Sequence, residues 1–341
     1  MQCAGASQLA GNAAGPGTMS VVERALLFPC EGEQLVAIVA ASSQIQAVAG
    51  SGNHCGSDRR GGAVGDNRPS PAVPEALPTP VCGVLIIVGG PQYRVGSHRQ
   101  FVLLSRRLAG EGYPAMRFDY RGMGDAGGAM RSFEDVRADI GAAIEAFQRA
   151  VPSLRRIVLW GLCDAASAAL LYVQATPDPR LGGLVLLNPW VRSEASQART
   201  QIKHYYGRRL LQKDFWSKLA SGRMEVGKSV RELLLAAIRS RRRTAAEVDP
   251  VRQSFQDGMA AGWRGFAGQM LLILSGDDYT AKEFLEYAAR DQAWAGLLEA
   301  ANVHRVDLAA ADHTFSSCLL RSQVEDATLS WLATLGGRQQ R

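Results

Sequence analysis

From residue 81 onward, short apolar runs alternate with longer segments whose apolar residues recur at helical spacing. Residues 82–88 form a continuous apolar run that ends in Gly89-Gly90-Pro91, the pattern of a strand buried on both faces of a parallel sheet. Helix is expected over 99–111, strand over 114–119, helix over 133–150, strand over 156–160, helix over 165–175 and strand over 183–187. Upstream, 20–28 and 35–40 read as strands. Residues 192–262 look helical and contain no convincing strand, after which 269–274 returns as strand, 282–289 as helix and 303–308 as the last strand. This alternation predicts a doubly wound, mostly parallel α/β sheet with right-handed crossovers, carrying a helical insertion between two of its strands. Ligands of such sheets bind beyond the carboxyl ends of the strands, so an insertion at that edge is placed as a cap over the site.

The remaining segments lack periodicity. Residues 1–18 are small and polar and read as a disordered leader, which makes Met19 as good a start as Met1. Residues 42–80 are crowded with Gly, Ser, Asn and Pro and read as a disordered insertion, because such a composition cannot bury enough apolar surface to offset ordering. The expected organisation is a core of 19–191 and 263–335, interrupted at 42–80, with a cap of 192–262.

Composition narrows the function classes. The chain has 341 residues, 47% of them apolar and 21% charged, enough for a sizeable core. No stretch approaches the roughly 18 apolar residues of a membrane span. The net charge of +6 is mild, which argues against nucleic-acid binding. Six cysteines form no C-x-x-C pair, so no metal site and no cofactor is expected, and a reduced compartment fits them. No Lys or Arg precedes Arg24, as a signal peptide would require, so the expected location is cytoplasmic.

The candidate chemistry sits at strand ends. The strand at 156–160 runs into Gly161-Leu162-Cys163-Asp164-Ala165-Ala166-Ser167, whose small residues allow the sharp strand-to-helix turn of a nucleophile elbow, with Cys163 in the nucleophile's place. At the amino end of the following helix, exposed N–H groups would favour a thiolate and a developing oxyanion. His313 follows the last strand and is the best-placed of five histidines to act as base. His98 reads as a surface residue at a helix start. Asp277 and Asp278 follow the preceding strand, and Asp278 is preferred as the group that orients the imidazole. Asp312 reads as a loop cap. The order nucleophile, acid, histidine is that of the α/β hydrolases. The oxyanion hole is expected to use the N–H of Asp164 and a second from Gln92 or Gly90, since Pro91 has none. Gly122-Met123-Gly124-Asp125-Ala126-Gly127 matches a dinucleotide fingerprint formally but lacks the second strand and its acidic residue, so it is read as a structural turn.

Residues 89–101 (GGPQYRVGSHRQF), 119–125 (DYRGMGD), 161–168 (GLCDAASA), 187–192 (LNPWVR) and 312–316 (DHTFS) together resemble the exosortase A system-associated hydrolases of the first type. The resemblance spans about residues 20–335 and implies an α/β-hydrolase fold and an association with exopolysaccharide and protein-sorting systems of Gram-negative bacteria. The function expected is hydrolysis of an ester or thioester through Cys163, His313 and Asp278. The alternatives are an acyltransferase on the same triad and a non-catalytic accessory protein that kept the fold. Between Arg199 and Arg243, 13 basic residues face three acidic ones, interleaved with Tyr205, Tyr206, Phe215 and Trp216. A small-molecule or carrier-bound acyl substrate, preferably anionic, and peripheral contact with an anionic membrane are the partners this charge suits.

Overall fold

Alternate side chains of the central strands go to opposite faces of one sheet, as the two-residue period of a strand requires. The computed structural model describes residues 20–43, 45, 82–90, 92–192 and 254–337. In chain order its strands and main helices are β1 (Val21–Cys30), β2 (Glu33–Ser42), β3 (Cys82–Ile87), α1 (Gln100–Gly110), β4 (Ala115–Asp119), α2 (Arg137–Ala150) and β5 (Arg156–Leu162). They continue with α3 (Asp164–Ala175), β6 (Leu181–Leu187), α4 (Phe255–Gly265), β7 (Gln269–Ser275), α5 (Tyr279–Arg290), β8 (Val303–Leu308) and α6 (Cys318–Gly337). The strands form a sheet in the order β1-β2-β4-β3-β5-β6-β7-β8. β2 pairs antiparallel with both β1 and β4, and every other neighbouring pair is parallel.

Two hydrophobic clusters cover the two faces. Leu85, Ile87, Ile157 and Leu159 join Phe147 of α2, Ala169 of α3, Trp263 of α4 and Phe284 of α5 on one side. Val84, Ile86, Val158 and Trp160 join Phe101 and Leu108 of α1 and Trp331 of α6 on the other. Helices on both faces make the sheet doubly wound, as expected. β3, β4, β5 and β7 each feed a helix, and β5 to β8 pair in parallel, so the carboxyl ends of β5, β7 and β8 open onto the same edge.

The expected helix at 133–150 begins as a short 3-10 turn at Phe133–Asp135 and becomes α-helical only at Arg137. The helix α6 was not expected at all. The leader, residues 44 and 46–80 of the tract read as disordered and residues 193–253 of the cap lie outside the described residues, whereas Ser42, where that tract was expected to begin, is the last residue of β2 and pairs with Val21. Residues 255–262, assigned to the cap from their pattern, belong to α4, which packs on α3 and buries Met259, Ala260 and Trp263 in the first cluster.

Candidate active site

The turn between β5 and α3 carries a strained residue. Cys163 has φ 64° and ψ −125°, a conformation that costs a non-glycine residue on the order of 1–3 kcal/mol and persists only where its surroundings hold it. They do so here through the backbone. The N–H of Cys163 donates to the Leu187 carbonyl at 2.8 Å, and the Cys163 carbonyl accepts from Ala166 at 3.0 Å and from Trp190 at 3.3 Å. Gly161 lets the first turn of α3 come close, since a Cβ there would lie 2.6 Å from the Ala165 carbonyl oxygen.

His313 lies in the loop after β8, and its Nδ1 is 2.8 Å from Asp278 Oδ2. Asp278 is buried and caps α5 through the N–H groups of Thr280 and Ala281 at 3.0 and 3.3 Å. Burial pushes this carboxyl up, but its hydrogen bond to His313, the charge of that ring and the two cap bonds outweigh burial and hold it below the usual range. Asp277 is exposed and makes no such approach. Asp312 accepts from the N–H of Ser316 at 2.9 Å and from its hydroxyl, which is the loop-capping role expected for it. His98 is exposed at the start of the turn before α1, and His304 is exposed on β8. His54 and His204 lie outside the described residues.

Cys163 and His313 line one cavity of about 410 Å³, together with Gly89, Gly90, Gln92, Phe101, Phe133, Leu162, Asp164 and Trp190. Its walls are largely apolar and aromatic, as a pocket for a small organic group would be. Burial pushes the Cys163 thiol up to about 12, and the neighbouring Asp164 carboxylate adds to the effect. This shift runs against the thiolate expected at the helix start. Desolvation and an adjacent negative charge outweigh the N–H groups of the helix start. The N–H of Gly90 donates to Asp164 Oδ2 at 2.7 Å and is thus already engaged.

Two polar supports escaped the sequence reading. Asn188, buried with φ 44°, donates from Nδ2 to Ser275 Oγ at 2.8 Å and accepts the Ser275 N–H at 2.9 Å. The Ser275 hydroxyl donates to the Asp312 carbonyl at 3.0 Å, so the ends of β6 and β7 are tied to the loop that bears His313. Asp119, fully buried, accepts the N–H of Arg94 at 2.6 Å and pairs with its guanidinium, which also reaches Asp125 at 2.6 Å. The turn at 119–125 thereby braces the loop that contributes Gln92 to the cavity. Gly122 to Gly127 closes on itself through a 2.8 Å backbone bond, and no helix starts there. Among the described residues no group of three His, Cys, Asp or Glu side chains is placed to hold a metal ion.

The fold has counterparts among known proteins. A family model described as serine aminopeptidase S33 matches residues 80–243. An esterase of Pyrococcus furiosus superposes with a TM-score of 0.55 at 14% identity, over 92% of this chain and 91% of its own. A fungal esterase from Rhizomucor miehei gives 0.53 at 14% identity, covering 94% of this chain and 86% of that one. Est1E of Butyrivibrio proteoclasticus, with ferulic acid bound, gives 0.51 at 14% identity, covering 90% and 99%. The fold is that of the α/β hydrolases. No curated protein matches the sequence. No helix of the described residues is long and apolar enough to cross a membrane.

Proposed function

We propose that the protein hydrolyses an ester or thioester, with Cys163 as nucleophile, His313 as general base and Asp278 as the group that orients the imidazole. The observation that carries this reading is the Asp278–His313 contact of 2.8 Å, made at the same cavity into which the strained elbow brings Cys163. The S33 match and the esterases of like fold support acyl chemistry. The S33 model is named for a serine enzyme, and here a cysteine stands at the elbow. The five motifs shared with the exosortase A system-associated hydrolases support an assignment to that group and to exopolysaccharide systems.

His313 takes the thiol proton as sulfur attacks the acyl carbonyl, and the resulting imidazolium gives that proton to the departing alcohol or thiol. Water then attacks the acyl-cysteine with His313 again as base, which releases the acid and restores the thiol. The donors for the oxyanion are the N–H of Asp164 and that of Gln92 or Gly90, the last of which also bonds the Asp164 carboxylate.

A panel of short-chain acyl esters and thioesters tests this reading. Cys163→Ala is expected to lower kcat/KM on any substrate found by on the order of 10³-fold or more. Rapid-quench intact mass should show one acyl group on the wild type and none on the variant. Full turnover by Cys163→Ala would overturn the assignment.

A further inference from the structure

The carboxylate next to the nucleophile has no place in the triad, yet it is fixed with unusual care. Asp164 opens α3, but its Oδ2 turns back to accept the N–H of Gly90, 74 positions earlier in the chain. Its Oδ1 is buried without a hydrogen-bond partner among the described residues. Gly89 fits beside it only for want of a side chain, because a Cβ there would lie 2.2 Å from Oδ1 and 2.9 Å from the Leu162 carbonyl oxygen. The loop after β3 and the elbow after β5 thus close around this one carboxylate. Asp164 lines the same cavity as Cys163 and His313.

An anion held one residue from a thiol, in a largely apolar pocket, disfavours the thiolate. The other charges acting on the thiol do not cancel it. Asp278 stands behind His313 and has the same sign as Asp164. Arg192 is the opposing cation, but its guanidinium is engaged by Glu283 and lies over the Trp190 ring at 4.9 Å. Around Asp164 itself are Cys163, His313 and Tyr120, whose hydroxyl this carboxylate helps to keep protonated. Burial raises Asp164 too, against the N–H groups of Gly90, Ala165 and its own residue.

We propose that Asp164 is a guard on the nucleophile: its pinned carboxylate holds Cys163 as the neutral thiol in the resting site, so that sulfur becomes nucleophilic only as His313 takes the proton during attack. It is a positioning residue that acts through Cys163. The inference rests on the reading of Cys163 as the nucleophile, and it gives the site a resting state inert to alkylating agents and oxidants, which react with thiolates.

Alkylation of the full chain by iodoacetamide, followed by pH and read peptide by peptide, tests the guard without any substrate. The exposed Cys318 serves as internal reference. In the wild type the Cys163 profile should have its midpoint above that of Cys318. Asp164→Asn keeps an oxygen for the Gly90 N–H but removes the charge, and should move the Cys163 profile down by about one pH unit or more, leaving Cys318 unchanged. Asp164→Ala should move it the same way, which covers the case in which the amide does not fit. Coincident Cys163 profiles in the wild type and a folded variant would overturn the proposal, as would a wild-type midpoint at or below that of Cys318. Because no turnover is involved, an inactive Cys163→Ala with unshifted profiles would remove the guard and leave the nucleophile. A shifted profile with a fully active Cys163→Ala would do the reverse.

Discussion

At the scale of single residues, Asp278 is distinguished from Asp277 by burial and by what it caps. Both follow β7, and only the second turns inward to meet His313 and the first N–H groups of α5. Its role has a pH signature whose sign follows from the direction of its shift. The folded-state value is depressed, so the stability contributed by this carboxylate is complete above the ordinary value of about 3.9 and is lost as pH falls through the lower folded value. Asp278→Asn should therefore be less stable than the wild type at neutral pH, with the gap in Tm closing as pH drops below about 4. Melting curves at a series of pH values would show it, and a gap that stays constant would mean that the charge of Asp278 contributes nothing. The sequence narrowed the choice to the two aspartates after β7, but with the helix expected only from 282 it did not show which of them caps α5. The Asp164–Gly90 bond and the Asn188–Ser275 pair were not legible. They join loops 74 and 87 positions apart, and no local pattern encodes a contact between side chain and distant backbone.

At the scale of elements, strands were the easiest to foresee, since each inner one is a short apolar run closed by a turn. Helix α6 carries a signal that was missed. Val324, Thr328, Trp331 and Leu332 are buried at spacings of four, seven and eight, a regular helical stripe. Leu320 and Leu335 continue that stripe at the same spacing and pack against the second cluster with Leu329, whereas Leu319 lies off it and is 69% exposed. Helix α4 was recognised as helix and grouped with the cap, because amphipathicity shows that a face is covered and not by what. Its cover is α3. Gly262 packs so closely that a Cβ would lie 2.1 Å from the Leu170 carbonyl oxygen, a backbone atom that cannot rotate away. Gly262→Ala gains about 1 kcal/mol of helix propensity. It loses about 1–3 kcal/mol to overpacking, and the contact with backbone puts the loss at the upper end. The variant should be less stable by about 1–2 kcal/mol in urea unfolding, whereas a stabilised variant would mean that α4 does not press on α3.

At the scale of the whole molecule, electrostatics acts at two ranges. Near the sulfur the acting charges are few: Asp164 in the pocket and Asp278 behind His313 disfavour the thiolate, and Arg192 opposes them. In the sequence, the segment from Arg199 to Arg243 carries 13 basic residues against three acidic ones, a net charge above the +6 of the entire chain. That segment lies outside the described residues. The chain leaves the sheet toward it just after Trp190, which lines the cavity, and returns at Ser254 ahead of α4. We propose that this basic segment recruits anionic substrates, since a concentration of one sign of charge raises the local concentration of the opposite sign without touching the chemical step. Such steering weakens as the Debye length shrinks from about 10 Å at 0.1 M salt to about 3 Å at 1 M. For an anionic acyl substrate, such as a carrier-bound thioester or the ester of an acidic glycan, kcat/KM should therefore fall with added salt while kcat stays nearly constant. Neutralising Arg241, Arg242 and Arg243 together should flatten that dependence, and an uncharged ester of the same acyl group should show little of it. If kcat/KM on the anionic substrate is independent of salt, the basic segment is a solvated surface with no part in recruitment, and specificity has to be sought in the aromatic walls around Cys163.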